Sequence, residues 1–64
     1  MQINIKKMKL EMKRGGFKNS KALANEIGMS RQAIDFILIR RTTTFKTLTT
    51  IATALGCDGR DLLK

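Results

Sequence analysis

The sequence has no histidine, tryptophan, tyrosine or proline, and one cysteine among its 64 residues. Without histidine and with a single thiol it cannot build a His-dependent triad, a Cys/His metal cage or an internal disulfide. Acids are scarce as well: Glu11, Glu26, Asp35, Asp58 and Asp61 are the whole set, which leaves little for paired-carboxylate chemistry. The inventory therefore argues against an enzyme and calls for no cofactor, no metal and no small-molecule substrate. The longest apolar run, Phe36-Ile37-Leu38-Ile39, is four residues, far from the ~20 of a membrane span. No charged leader with an apolar segment opens the chain, so the expectation is a cytoplasmic protein. In a reducing compartment, Cys57 reads as a small core-facing hydrophobe.

What is abundant is positive charge. The net charge is +8, from 13 basic and 5 acidic residues, and a field of that sign attracts nucleic acid first and acidic membrane second. Residues 1–46 carry 11 basic and 3 acidic residues, whereas residues 47–64 set Arg60 and Lys64 against Asp58 and Asp61. The neutral last third is thus expected to face away from the partner. A membrane surface is disfavoured, because the first lysines accompany a narrow methionine stripe rather than a broad one with anchoring aromatics.

With proline absent, glycines and capping residues punctuate the chain. Asn4 is placed to cap a helix over Ile5 to Arg14, with Ile5, Met8 and Met12 at helical spacing and Lys6, Lys7, Lys9 and Lys13 on the other faces. Asn19 precedes a second helix, Ser20 to Ile27, whose apolar stripe is Leu23, Ala24 and Ile27; Gly28 ends it. Ser30 precedes a third, Arg31 to about Ile39, and Arg40 to Thr43 read as a basic, hydroxyl-rich loop. Thr44 precedes a fourth, Phe45 to Leu55, with Phe45, Leu48, Ile51, Ala52 and Leu55 directed inward. Asp58 opens a short fifth segment containing Leu62 and Leu63. A single domain spanning 1–64 follows, and so small a core implies marginal stability that dimerisation or ligand binding would raise.

The informative stretch is Ser20 to Ile37. Two such short helices joined by Gly28-Met29-Ser30 cross steeply only with a small residue at the crossing, a permissive turn and an apolar plug beneath it. Ala24, Gly28 and Met29 supply these in turn. Leu23, Ile27, Ile34 and Ile37 then form the inner face, and Arg31, Gln32, Asp35 and Phe36 point outward.

Asn19-Ser20-Lys21-Ala22-Leu23-Ala24, then Gly28 to Ile34, then Leu48-x-x-Ile51-Ala52-x-x-Leu55-Gly56 and Asp61-Leu62-Leu63 together resemble the helix-turn-helix domains of phage Cro proteins and phage repressors. The resemblance implies an all-α, compact five-helix lambda-repressor-like fold with residues 31–39 as the recognition helix in the major groove. It carries base contact to Arg31, Gln32, Asp35 and Phe36. Residue chemistry agrees: Arg offers two donors to guanine, Gln can bridge adenine, Phe can meet a thymine methyl, and Asp35 can accept from cytosine or orient Arg31 one turn earlier. Backbone contacts are expected from Asn19, Ser20 and Lys21, from Ser30, and from Arg40, Arg41, Thr42 and Thr43.

The chain departs from the family pattern in three places. Ser20 stands where the family has Gln, Leu38, Ile39 and Arg40 stand where it has a polar pair followed by Gly, and Phe36 replaces a polar reader. The implied function is a sequence-specific transcriptional regulator of the Cro type, from a phage or mobile element, in a bacterial cytoplasm. It would repress by occupying a double-stranded operator, as a weak homodimer or one formed on DNA, without the separate oligomerisation module of larger repressors. Two alternatives stay open: a protein that modulates a repressor by protein–protein binding, and an antitoxin-type autoregulator.

Overall fold

The computed structural model describes residues 1–64. Four α-helices, α1 (Ile5–Arg14), α2 (Ser20–Ile27), α3 (Arg31–Arg40) and α4 (Phe45–Leu55), are followed by one 3-10 turn at Gly59–Leu62. The class is all-α, as expected. The fifth helix is only that turn, because the segment between Asp58 and Leu63 is too short for an α-helix to nucleate and closes with i→i+3 bonds instead. Each α-helix starts where a capping side chain predicts. The oxygens of Asn4, Asn19, Ser30 and Thr44 accept from the backbone N–H of Lys7, Ala22, Ala33 and Thr47, at 3.1, 3.0, 3.1 and 3.3 Å.

α3 runs one residue beyond the expected end. Arg40 is helical, not part of the loop, and Arg41 closes the helix with φ 60°, its N–H donating to the Ile37 carbonyl. It is the one non-glycine residue with positive φ. The left-handed position thus falls just after the residue that stands in place of the family's glycine.

Twelve buried apolar side chains form one cluster: Met8 and Met12 from α1, Leu23 and Ala24 from α2, Ile34 and Ile37 from α3, Leu48, Ile51, Ala52 and Leu55 from α4, with Leu62 and Ile3. Cys57 is half-buried against this cluster, and burial, aided by the nearby Glu11 carboxylate, pushes its thiol pKa up. α2 packs on α3 and α4, while α1 packs on α4 and the terminal turn.

Three placements differ from the sequence reading. Phe45 is 69 % exposed rather than inward-facing; as the first residue of α4 its Cα–Cβ bond tilts past the helix end, where no preceding turn lies beneath it. Ile5 is half-buried beside the core rather than inside it. Ile3, outside every expected helix, is fully buried. The segment before α1 runs as an extended strap, with Gln2 bridging to Thr42 and Ile3 to Leu63. The Ile3 N–H donates to the Arg41 carbonyl at 2.8 Å, and the Asn4 N–H donates to the Leu62 carbonyl at 2.8 Å. This strap ties the α3–α4 connection to the C-terminal end.

Candidate nucleic-acid interface

The turn between α2 and α3 sets the geometry of the exposed face. Gly28 adopts φ 73°, a left-handed conformation that costs a side-chain-bearing residue about 1 kcal/mol or more. The Met29 N–H returns to the Ala24 carbonyl at 2.9 Å, and Met29 half-buries against the core. Ala24 is buried at the crossing of the two helices. α3 therefore starts afresh at Ser30 in a new direction, with only Ile34 and Ile37 buried.

The opposite side of α3 brings together the residues assigned to base reading. Arg31, Gln32 and Phe36 are exposed and Asp35 is half-exposed. The Arg31 Nε–H donates to Asp35 Oδ2 at 3.3 Å, one turn away. Of the two roles open to Asp35, the structure forms the intrahelical one. An exposed pair of this kind adds only about 0.3–0.5 kcal/mol to stability, so its main consequence is to limit the directions in which the guanidinium points. Phe36 is 56 % exposed, and the Arg40 guanidinium lies over its ring, 4.7 Å from the centroid. This cation–π contact was missed in the sequence, although Phe36 and Arg40 share the four-residue spacing of Arg31 and Asp35.

The residues assigned to backbone contact fall into two groups. Asn19, Ser20 and Lys21 lie at the start of α2, where the first N–H groups have no intrahelical acceptor and present donors with partial positive charge. Ser30 caps α3 from an exposed position. On the other side stand Arg40 and Arg41, both exposed, with Thr42 and Thr43. The Thr42 hydroxyl donates to the Met1 carbonyl at 2.9 Å and the Thr43 N–H donates to the same oxygen at 3.1 Å. Those threonines therefore hold the connection against the strap, and its freely presented cations are the two arginines.

Charge pairing completes the picture. The ion pairs are Arg14–Glu11, Arg31–Asp35 and Arg60–Asp58; none uses a lysine. No group of acids and thiols is arranged to hold a metal ion, and no helix is long and apolar enough to cross a membrane. An outward polar helix on a steep turn, flanked by free cations and helix N-termini, is an arrangement suited to a duplex major groove. A family model of the Cro/C1-type HTH DNA-binding domain matches residues 5–64. The chain belongs to this family. No curated protein and no solved structure matches it. As a Cro/C1-type domain it is a DNA-binding module of transcriptional regulators, and α3 corresponds to the second helix of its helix-turn-helix.

Proposed function

We propose that this Cro/C1-type domain is a sequence-specific regulator, of phage or mobile-element origin, that represses transcription in a bacterial cytoplasm by occupying its operator. The observation that carries the reading is the outer face of α3, where Arg31 is braced by Asp35, Gln32 is exposed, and Phe36 is exposed with the Arg40 guanidinium over its ring. With α3 in the major groove, Arg31 donates to guanine O6 and N7, Gln32 bridges an adenine edge, and Phe36 packs on a thymine methyl. Asp35 acts through Arg31. Asn19, Ser20, Lys21, Ser30, Arg40 and Arg41 fix the register on the phosphates, with Thr42 and Thr43 holding the connection in shape. Two copies on a two-fold operator would set two such helices about 34 Å apart. The exposed apolar side chains of Ile39 and Phe45 are available for contact between copies assembled on DNA.

The deciding experiment is selection of bound duplexes from a random pool, run with the unaltered chain, Arg31→Ala and Gln32→Ala. Base reading predicts a loss of about 1–3 kcal/mol and relaxed preference at one or two base pairs for each variant. Uniform weakening at every sequence would move these side chains to the backbone. No duplex binding at low salt, with a bound protein partner retained, would instead favour modulation of a repressor.

A further inference from the structure

Long side chains on a helix lean toward its N-terminus. Arg40 does so far enough to set its guanidinium over the Phe36 ring, 4.7 Å from the centroid. The cation is thereby drawn back about one turn, roughly 5.4 Å, from the end of α3 to the level of the side chains assigned to base reading. Arg40 takes part in none of the ion pairs, so no carboxylate competes for its donors. Arg31 differs in this respect, because Asp35 holds one of its N–H groups. Phe36 is 56 % exposed and presents nothing but carbon. The stack therefore sets an apolar surface and a two-donor fork side by side on the outer face of α3.

We infer that Phe36 and Arg40 act as one reader of a pyrimidine carrying a C5 methyl followed by guanine, and that thymine and 5-methylcytosine both satisfy it. The inference rests on the DNA-binding reading above and deepens it: Arg40 moves from the phosphates to a base edge, and recognition becomes sensitive to cytosine methylation. The C5 methyl projects into the major groove from the same ring position in both pyrimidines. They differ there in the neighbouring group, an O4 acceptor on thymine and an N4 donor on cytosine. A phenyl ring has neither donor nor acceptor, so Phe36 registers the methyl and not the base that bears it. Guanine offers O6 and N7 to two guanidinium donors, whereas adenine replaces one of these acceptors by the N6 donor. The adjoining guanine is thus the base that fits Arg40. Unmethylated cytosine in the same step leaves the ring without its methyl, and binding would rise on methylation of that cytosine.

The test uses the selected operator and the pyrimidine–guanine step at which Phe36→Ala alters base preference, synthesised as TpG, UpG, 5-methyl-CpG and CpG duplexes. Binding is read by anisotropy. The unaltered chain should bind TpG and 5-methyl-CpG alike, and UpG and CpG about four-fold more weakly, the loss expected for one methyl. Phe36→Ala should bind all four alike. Arg40→Gln should keep the methyl effect and lose the preference for guanine over adenine at the second position, which in the unaltered chain should be about ten-fold or more. Both side chains are exposed, so the thermal midpoints of the variants should stay close to that of the unaltered chain. Binding of 5-methyl-CpG no tighter than CpG, with TpG still tighter than UpG, overturns the inference and leaves thymine reading in place. Equal weakening of every duplex by Arg40→Gln, with guanine preference intact, returns Arg40 to the phosphates and also overturns it. So does a Phe36→Ala variant that changes base preference at no step. Absence of duplex binding by the unaltered chain overturns the DNA-binding reading itself, and this inference with it.

Discussion

α3 and α4 are nearly equal in length, 10 and 11 residues, yet they use their surfaces in opposite ways. α4 buries Leu48, Ile51, Ala52 and Leu55, and its exposed side is turned in on itself: the hydroxyls of Thr49, Thr50 and Thr53 donate to the carbonyls of Phe45, Lys46 and Thr49. Such back-bonding leaves few unsatisfied donors for a partner. α3 buries only Ile34 and Ile37, and exposes Arg31, Gln32, Phe36, Ile39 and Arg40. The contrast separates scaffold from probe. Burial is concentrated in the helix with no charged residue beyond Lys46, and exposed polar chemistry in α3, so the two can be altered independently.

The largest expected effect breaks the scaffold. Ile51 is fully buried, and Ile51→Ala should cost about 2–5 kcal/mol through lost burial and a residual cavity. Ile39, 79 % exposed, should tolerate Ala within about 0.5 kcal/mol. Thermal unfolding of the two variants measures the difference directly, and similar midpoints would erase the distinction between the helices.

A smaller effect sharpens it, because it should move stability and binding in opposite directions. Arg41 holds φ 60° without being glycine, a conformation that costs a residue with a Cβ about 1 kcal/mol. Arg41→Gly should therefore raise stability by up to about 1 kcal/mol while weakening duplex binding through the lost cation, read by denaturant unfolding and by anisotropy. If both quantities fall together, the strain is not retained for the sake of the charge.

Next in size is the methyl contact assigned to Phe36. Replacing thymine by uracil at the contacted base pair removes one methyl and should weaken binding by about 0.8 kcal/mol. In Phe36→Ala the same base change should have no effect. A uracil penalty that persists in the variant would detach Phe36 from base reading.

The smallest effect lies in the neutral end of the chain. The Asp58 carboxylate accepts from the Arg60 N–H at 3.0 Å and from its guanidinium at 3.2 Å, which holds its pKa below the usual carboxylate value, the backbone bond contributing most. A depressed folded-state pKa supplies stability that is present above the ordinary carboxylate value and lost as pH falls through the depressed one. Asp58→Asn should therefore remove a slight acid-side decline in thermal midpoint and leave DNA affinity unchanged, since the residue lies far from the basic face in sequence and charge.

Much of the fold was legible because it is written locally. Asn4, Asn19, Ser30 and Thr44 cap the helices they precede, and Gly28 and Gly56 take the left-handed residues that end α2 and α4. The outward set Arg31, Gln32, Asp35 and Phe36 followed from the same helical spacing. What escaped needed long-range packing. Ile3 lies outside any periodic segment and is buried only because the α3–α4 connection and the chain's end close over it. Arg40 reads as loop beside Arg41, yet its stacking on Phe36 accompanies its place in the helix.

The amino-acid order by itself therefore determined where the four α-helices begin, where α1, α2 and α4 end, most of the apolar face of each, and that the net charge is positive and confined to residues 1–46, because capping, periodicity and charge act over a few residues. Tertiary structure alone decided how far α3 turns away from α2 and that a strap before α1 pins the connection after α3. Those outcomes depend on burying a common core, and that requirement couples residues far apart in the chain.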